Sequence, residues 1–291
     1  MNIEAFRRFS IPSAQERFTA RDAMLYALGL GYGSDPERSE ELDYVYEGRL
    51  KVHPAVALVL GRFEQWTNTP ELEIDWRRIL HAEQSLRVFR PIKADIDIRA
   101  EYSFTGLQDR GPDRGAMLHI TKNIFAQGEP DPVATAVMSW LLAGDGGFGG
   151  DETVPSLAGP ALPSTAPDDQ LELAVPNQAA LLYRLNGDYN PLHADPAAAR
   201  TVGFDRPILH GLATYGYAWR ALARMTADGD ANRIEFFTAR FSKPFYPGET
   251  LRTEIWRQGR DVRFRCKSVE RDIIVLDRGT ARLAAGPSPD M

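Results

Sequence analysis

Apolar and polar positions along the chain recur with two different periods, and these periods predict one order of elements twice. Apolar residues stand at helical spacing over about 19–29 and again over 177–186, and a longer helix is predicted at about 210–226. The other periodic segments have a period of two or many β-branched and aromatic residues. They predict strands at 81–90, 95–104, 115–125, 133–142, 233–245, 249–258, 260–269 and 272–284.

A helix followed by an antiparallel meander is typical of an α+β fold, and the strict alternation of a parallel α/β sheet is absent. Two pairs of short segments indicate a duplication. Residues 25–29 lie 157 positions before the similar residues 182–186, and residues 88–92 lie 153 positions before residues 241–245. We therefore expect the same unit twice, each with a sheet wrapped around one helix.

A change of composition near the middle predicts the boundary between the two units. Residues 144–150 read Gly-Asp-Gly-Gly-Phe-Gly-Gly, and four prolines stand among small and polar residues over 153–169. Glycine adds backbone freedom and proline interrupts regular ladders, so this stretch is expected to be a linker or a long surface loop. The predicted organisation is an N-terminal unit of residues 1–152, a linker of 153–169 and a C-terminal unit of 170–291.

Charge and cysteine content exclude several classes of protein. With 34 Lys and Arg against 40 Asp and Glu, the net charge of −6 lacks the basic surface of a nucleic-acid-binding protein and the polybasic stretch that binds anionic membranes. The single cysteine, Cys266, rules out an intramolecular disulfide or a cysteine metal cluster. The longest apolar stretch, 134–143, is about half the length of a membrane span. We expect a cytosolic protein without nucleic-acid or membrane partners.

Residues that could carry chemistry concentrate in one segment, 183–216. Asp188 and His193 meet only across a proline-containing turn, and a carboxylate and an imidazole on a bend can hold a water as an acid/base pair. His210 and Gly211 open the long predicted helix, whose first N–H groups and partial positive charge suit an oxyanion. Each residue alone also has a structural explanation: a turn former, a hydrogen-bonded core histidine and a helix start.

The order of residues in this segment is similar to a known signature. It reads Tyr-Arg-Leu-Asn-Gly-Asp-Tyr-Asn-Pro-Leu-His-Ala-Asp-Pro over 183–196, followed by Ile-Leu-His-Gly-Leu over 208–212. It closely resembles the MaoC-like, R-specific enoyl-CoA hydratases (hydratase 2). Further similarity to that family lies at 80–84, 90–91 and 243–248. The resemblance implies a double hotdog fold, with one hotdog in each half, which agrees with the internal repeat.

The resemblance also implies roles for four residues. Asp188 and His193 would form the catalytic dyad, Asn190 would orient the dyad or the water, and Gly211 would donate its backbone N–H to the thioester oxygen. The implied reaction is the reversible syn addition of water to a trans-2-enoyl-CoA, which gives (R)-3-hydroxyacyl-CoA, in fatty-acid metabolism such as β-oxidation. It requires no metal, nicotinamide or flavin, because coenzyme A arrives as part of the substrate.

Alignment of the repeat assigns this chemistry to the second half alone. Asp188 falls opposite Gly31, and His193 falls opposite Pro36, so the first half lacks both groups. We therefore expect one active site per chain and a first half that shapes the tunnel for the acyl chain.

Two alternative functions stay open at this stage. A hotdog thioesterase would cleave the same thioesters, although the Asp-x-Asn-Pro-Leu-His spacing favours hydration. A non-catalytic acyl-CoA-binding subunit of a heteromeric hydratase would need no dyad. The sequence also leaves open whether the acyl group is straight, bulky or steroidal, and which of Asp188 and His193 is the formal base.

The resemblance also raises the questions of which cations bind the coenzyme A phosphates and how the chain assembles. The phosphates of coenzyme A need cations, and Arg184, Arg240 and Lys243 are near the signature in sequence. A symmetric homodimer is the expected assembly.

Overall fold

The computed structural model describes residues 1–62 and 64–285, and its strands form one continuous antiparallel sheet of ten strands. The first half contributes β1 (Ala14–Phe18), β2 (Ile79–Val88), β3 (Ile96–Asp109), β4 (Ala116–Ala126) and β5 (Ala134–Leu142). The second half contributes β6 (Asp169–Ala174), β7 (Ile234–Phe241), β8 (Thr250–Gln258), β9 (Asp261–Ser268) and β10 (Ile273–Leu283).

Both halves of the sheet have the same strand order. From the outer edge inward the first half runs β1-β3-β4-β5-β2, and the second runs β6-β8-β9-β10-β7. The halves meet where β2 pairs with β7, so that each half covers an edge that the other would leave exposed. One unit has therefore been built twice and joined edge to edge, as the internal repeat predicted.

Six α-helices accompany the sheet in the described part of the chain. They are α1 (Ile3–Arg8), α2 (Ala20–Gly29), α3 (Ser39–Leu42), α4 (Ala179–Tyr183), α5 (Pro196–Thr201) and α6 (Gly211–Thr226). Short 3₁₀ helices lie at Glu47–Arg49, Pro54–Leu58, Glu64–Asn68, Pro70–Leu72, Trp76–Arg78, Arg184–Asn186, Pro191–His193 and Ala231–Arg233. None of the helices in residues 1–62 and 64–285 is long and apolar enough to cross a membrane.

Helix α6 is the central helix of the second half. Its residues from Ala213 to Ala223 are all buried, as expected for a helix enclosed by a sheet. Trp219 stacks on Phe237 of β7 with ring centroids 4.9 Å apart, and its indole N–H donates to the carbonyl of Ala231 at 3.0 Å. The large aromatic contact fixes the helix against the sheet, and with it the position of its first residue, Gly211.

The first half has a much shorter segment at its centre. The 3₁₀ helix Pro54–Leu58 is entirely buried and packs against α6, β2 and β5. Val59 is its C-cap, and the chain turns two residues later at Gly61, which has φ +58° and whose Cβ would lie 2.4 Å from the Cβ of Ala100. The expectation of one central helix in each unit is thus correct for the second half, whereas the first half has only a single 3₁₀ segment at its centre.

The eight predicted strands are all present, with two ends displaced by several residues. Strand β3 continues to Asp109, beyond the predicted end at 104, and β7 ends at Phe241, before the predicted end at 245. Strands β1 and β6 were not predicted. They are short edge strands with mostly exposed residues, and they are strands because they pair with β3 and β8 rather than through a hydrophobic pattern of their own.

The segment between β5 and β6 is irregular, as its composition predicted, and is tied to the sheet. The carboxylate of Glu83 accepts hydrogen bonds from the hydroxyl of Ser156 at 2.7 Å and from the N–H of Leu157 at 2.6 Å. Further along, the indole N–H of Trp256 donates to the carbonyl of Thr165 at 3.0 Å. These bonds hold the segment against both halves of the sheet.

Candidate active site

A tight turn after α4 places the two residues that the sequence singled out. Gly187 has φ +102°, a left-handed conformation that ends the preceding 3₁₀ helix. The carboxylate of Asp188 then accepts from the N–H of Asn190 at 3.3 Å, and the side-chain oxygen of Asn190 accepts from the N–H of Leu192 at 3.0 Å. These local bonds start the short 3₁₀ helix that ends at His193.

His193 is held in one tautomer by a backbone carbonyl. Its Nδ1 lies 2.9 Å from the carbonyl oxygen of Ile208, which can only accept, so Nδ1 carries the proton and Nε2 keeps its lone pair. The side chain is buried. Ring nitrogens of His193 and His210 and a carboxylate oxygen of Asp188 lie within 4.8 Å of one another, a spacing that a single water molecule can bridge.

His210 completes this group, although sequence reasoning treated it only as the start of a helix. Its ring stacks on that of His193 with centroids 3.7 Å apart and an angle of 23° between the planes. Its Nε2 donates to the backbone carbonyl of Asp188 at 3.2 Å. The position of His210 directly before Gly211 in the signature was the only sequence signal for a role in the site. Its stacking on His193 depends on how two distant loops pack.

Gly211 is the first residue of α6 and is exposed to solvent. The N–H groups of the first helical turn have no partner within the helix, and the aligned peptide dipoles give this end a partial positive charge. A Cβ at this position would lie 3.2 Å from the ring of Phe241, so glycine keeps the helix terminus open. Gly211 directly follows His210, which contacts both Asp188 and His193.

The charges of the site follow from burial and from one arginine. Burial alone would raise the pKa of Asp188, but Arg62, His210, His193 and the N–H of Asn190 together hold it below its usual value. Burial lowers the pKa of His193, and it lowers that of His210 to about 3. At neutral pH the resting site therefore holds a carboxylate and two neutral imidazoles.

Arg62 comes from the first half, and no sequence signal pointed to it. Its Nη1 lies 3.3 Å from a carboxylate oxygen of Asp188, and only 12% of its side chain is exposed. No motif surrounds it, and it reaches the site only because the two halves pack together.

The three cations expected near the phosphates of coenzyme A lie in different surroundings. Arg184 donates to the carbonyl of Tyr189 at 3.4 Å, and its guanidinium lies over the Tyr189 ring. Arg240 pairs with Glu83 at 3.0 Å where β7 meets β2. Lys243 is exposed beyond the end of β7. Arg184 and Arg240 thus already have partners in the structure, whereas Lys243 is exposed.

Asp188, His193 and His210 also form a potential ligand set for a transition metal. The nearly parallel stacking of the two imidazoles does not favour this use, because in-plane lone pairs of stacked rings do not converge on one ion. The arrangement instead suits acid/base chemistry on a water beside the open end of a helix.

Two family models match the chain, one in each half. Residues 17–144 match the model described as MFE-2 hydratase 2 N-terminal domain. Residues 160–278 match the model described as MaoC like domain, and this region contains the dyad and the start of α6.

Three relatives are similar over most of this chain. "Enoyl-CoA hydratase ChsH3" of Mycobacterium tuberculosis is 38% identical over 86% of this chain and 87% of its own. "Enoyl-CoA hydratase 2, peroxisomal" of Arabidopsis thaliana is 33% identical over 94% of this chain and 93% of its own. "Peroxisomal multifunctional enzyme type 2" of Mus musculus is 32% identical over 91% of this chain, which spans 36% of the length of that larger protein.

Solved structures agree with the observed architecture. A MaoC-like dehydratase from Phytophthora capsici superposes with a TM-score of 0.84 at 28% identity, over 99% of this chain and 100% of its own. A Mycobacterium tuberculosis protein with a double hotdog fold superposes with a TM-score of 0.57 at 14% identity, over 94% of both chains, and bears on the fold alone. The α+β double hotdog expected from the sequence is confirmed.

Proposed function

This chain belongs to the MaoC-like enoyl-CoA hydratase 2 family, and on that premise we propose that it adds water reversibly to trans-2-enoyl-CoA. The product is (R)-3-hydroxyacyl-CoA, and the enzyme is a hydro-lyase. The observation that carries the proposal is the meeting of Asp188 and His193 in one buried site beside the start of α6 at Gly211.

The dyad acts on the water in this proposal. A water held between the Asp188 carboxylate and His193 loses one proton to the dyad as its oxygen attacks Cβ of the enoyl group. The dyad then delivers a proton to Cα on the same face, so that the overall addition is syn and the dyad returns to its starting state. Because the two groups are close and coupled, they titrate as a pair, and the proton belongs to the pair rather than to one residue.

Gly211 stabilises the negative charge that moves to the thioester oxygen. As Cβ is attacked, electrons shift through the double bond to the carbonyl, and an enolate-like oxygen forms. In this proposal the N–H at the start of α6 donates to that oxygen, and the helix terminus adds favourable charge. Asn190 acts indirectly, because its side chain caps the turn that holds His193.

In this proposal the first half lines the path of the acyl chain. A cavity of about 20 Å³ beside Arg62 is lined by Leu58, Trp66, Tyr102, Ile120, Lys122, Met138 and Trp140. That volume holds about one water molecule, so these side chains must move apart before an apolar acyl group can enter between the aromatic rings. A straight-chain 2-enoyl group is the first substrate to test, and a bulky ring-containing group is the second.

The proposal also covers the residues that bind coenzyme A, the oligomeric state and the cellular location. Arg184 and Lys243 are the preferred partners of the coenzyme A phosphates, with Arg240 third because it already pairs with Glu83. We further propose a homodimer and a cytosolic role in fatty-acid β-oxidation. Light scattering on the purified protein tests the dimer directly.

The test of the reaction is a spectroscopic assay with two acyl chains. Purified protein is mixed with crotonyl-CoA and with a long-chain 2-enoyl-CoA, and the loss of enoyl absorbance is followed together with the release of free thiol. We expect absorbance to fall without thiol release, and the product to be the R enantiomer on chiral analysis. Thiol release would identify a thioesterase, and acyl-CoA binding without either reaction would identify a binding subunit.

A further inference from the structure

The chain segment that ends at Arg62 is held from behind by buried side chains of the first half. Lys122, which is 1% exposed, donates from Nζ to the carbonyl oxygens of Leu58 and Leu60, at 2.9 Å each. The hydroxyl of Tyr102 donates to the next carbonyl, directly before Arg62, at 2.5 Å. Side chains of β3 and β4 thus fix three of the four carbonyl groups over residues 58–61.

The backbone conformation before Arg62 is equally restricted. Gly61 has φ +58°, and a Cβ there would lie 2.4 Å from the Cβ of Ala100 on β3. Only glycine fits this close approach without moving the strand. The direction of the chain at this turn is therefore determined by packing, and it allows the side chain of Arg62 to reach Asp188 of the second half.

At the far end of this side chain lies the Asp188 carboxylate. The two charged groups are 3.3 Å apart, and their side chains are 12% and 20% exposed. An ion pair with so little contact with solvent is weakly screened, so it orients its partners more strongly than a surface pair does. This ion pair also connects the two halves directly at the reacting centre.

We propose that Arg62 is a positioning residue, whose guanidinium holds the Asp188 carboxylate beside His193 so that the dyad keeps one geometry. The proposal rests on the proposed hydratase function of this site. The first half then contributes a fixed charge to the active site in addition to an apolar lining. A carboxylate held in one orientation binds the attacking water in one orientation, and such restriction accelerates a reaction between two groups.

Removal of this charge has a predictable electrostatic effect. Asp188 is also faced by His193 and His210 and, from β2, by His81, while Arg184 acts on His193. Arg62 is the largest favourable influence on the ionised form of Asp188, and it also disfavours a proton on His193. Loss of the cation raises the pKa of both groups, so the resting dyad becomes protonated at a higher pH.

The experiment is a pH profile of kcat and kcat/KM for the wild type, Arg62→Gln and Arg62→Lys. For Arg62→Gln we expect the acid limb to move up by about one pH unit, the usual effect of an adjacent opposite charge, with kcat lowered and KM nearly unchanged. Arg62→Lys keeps the charge and should restore most of the acid limb. Arg17→Gln is the matched control, because Arg17 pairs with Asp97 at 3.2 Å on the exposed surface of the same half.

Titration of His193 by NMR separates this inference from the proposed function, because it needs no turnover. The protein has five histidines, and His193→Ala assigns the signal. A pKa of His193 in Arg62→Gln that differs from the wild-type value supports the proposal even for a substrate that is never found, because Arg62 lowers this pKa and an adjacent Asp188 raises it. An unchanged acid limb and an unchanged His193 titration would overturn it. A raised KM with an unchanged acid limb would also overturn it, because Arg62 would then contact substrate.

Discussion

The two halves of this protein share a strand order but differ at the first residue of their central segment. In the second half His210 precedes Gly211 and α6. In the first half, 157 positions earlier, His53 precedes Pro54 and a 3₁₀ helix. Proline has no backbone N–H, so the donor assigned to Gly211 has no counterpart in the first half. A whole hotdog can therefore be kept as a scaffold while one residue removes its capacity to bind an oxyanion.

The position opposite Asp188 has a packing role. Gly31, which aligns with Asp188, has φ +75°, and a Cβ there would lie 2.8 Å from the guanidinium of Arg220 on α6. The residue that takes the place of the carboxylate in the first half thus contacts the second half. Pro36, which aligns with His193, is exposed.

His53 and His210, which align in the repeat, also differ in role. Nδ1 of His53 accepts from the N–H of Ala55 at 3.2 Å, and burial lowers the pKa of His53 to about 3. His210 makes no such cap and instead bonds to the carbonyl of Asp188. One histidine stabilises a local turn, whereas the other contacts the dyad.

The strongest test of this comparison exchanges the residues that differ. Gly211→Pro removes one N–H, and the backbone accepts it because His210 has the extended conformation, ψ 137°, that proline requires of the residue before it. We expect kcat to fall by about 10²–10³, the usual cost of one oxyanion donor. The reverse change, Pro54→Gly, should leave kcat unchanged.

Gly211→Ala is the control for crowding in that experiment. It adds the Cβ that would approach the Phe241 ring at 3.2 Å, and it keeps the N–H. If alanine reduces kcat as far as proline does, steric contact explains the loss and the difference between the halves does not lie in the donor.

A second test concerns the contact that joins α6 to the first half. Arg220 and Glu41 form a buried bidentate ion pair with distances of 2.9 and 2.7 Å. Glu41→Ala leaves the arginine buried without its carboxylate, and we expect the free energy of unfolding in urea to fall by about 3–5 kcal/mol. Glu172→Ala, which breaks the exposed pair with Arg252, should cost less than about 1 kcal/mol. Equal losses would show that the buried pair does not hold the halves together.

The smallest expected effects on the reaction come from the two histidines at the starts of the central segments. His210→Ala removes a hydrogen bond and a stacking partner of His193, so kcat should fall by up to about tenfold. His53→Ala removes a turn cap and a buried ring that packs on Trp219, so it should lower the free energy of unfolding by about 2–5 kcal/mol with kcat of the folded enzyme unaltered. If His53→Ala slows the reaction of folded enzyme as much as His210→Ala does, the two histidines have not diverged in role.

Sequence reasoning predicted most of the fold because the relevant signals are local. Period-two runs produced eight strands, and the N-terminus of α6 at Gly211 lies within one residue of its expected position. The short edge strands β1 and β6 were not predicted, because pairing with β3 and β8, rather than a pattern in their own residues, makes them strands. The central segment of the first half could not be recognised either, since a buried 3₁₀ segment of five residues is too short to show a helical period.

The candidate site likewise contains residues that the sequence could indicate and one that it could not. Asp188, Asn190 and His193 lie on one turn, so their spacing in the sequence is also their spacing in space. Arg62 reaches the site across the boundary between the halves, and no pattern around it indicates where its side chain ends. Residues that act through a tertiary contact become visible only when the packing is known.

The most direct test of the account is the rate of crotonyl-CoA hydration by Asp188→Asn and His193→Ala beside the wild type. Asp188→Asn keeps the shape of the site, whereas His193→Ala deletes the ring that stacks on His210; each removes one member of the dyad, and circular dichroism verifies that both fold. We predict that each loses about 10²–10⁴ in kcat, the range of general acid/base catalysis. Hydration at the wild-type rate by either variant would contradict the assignment of the reaction to this dyad.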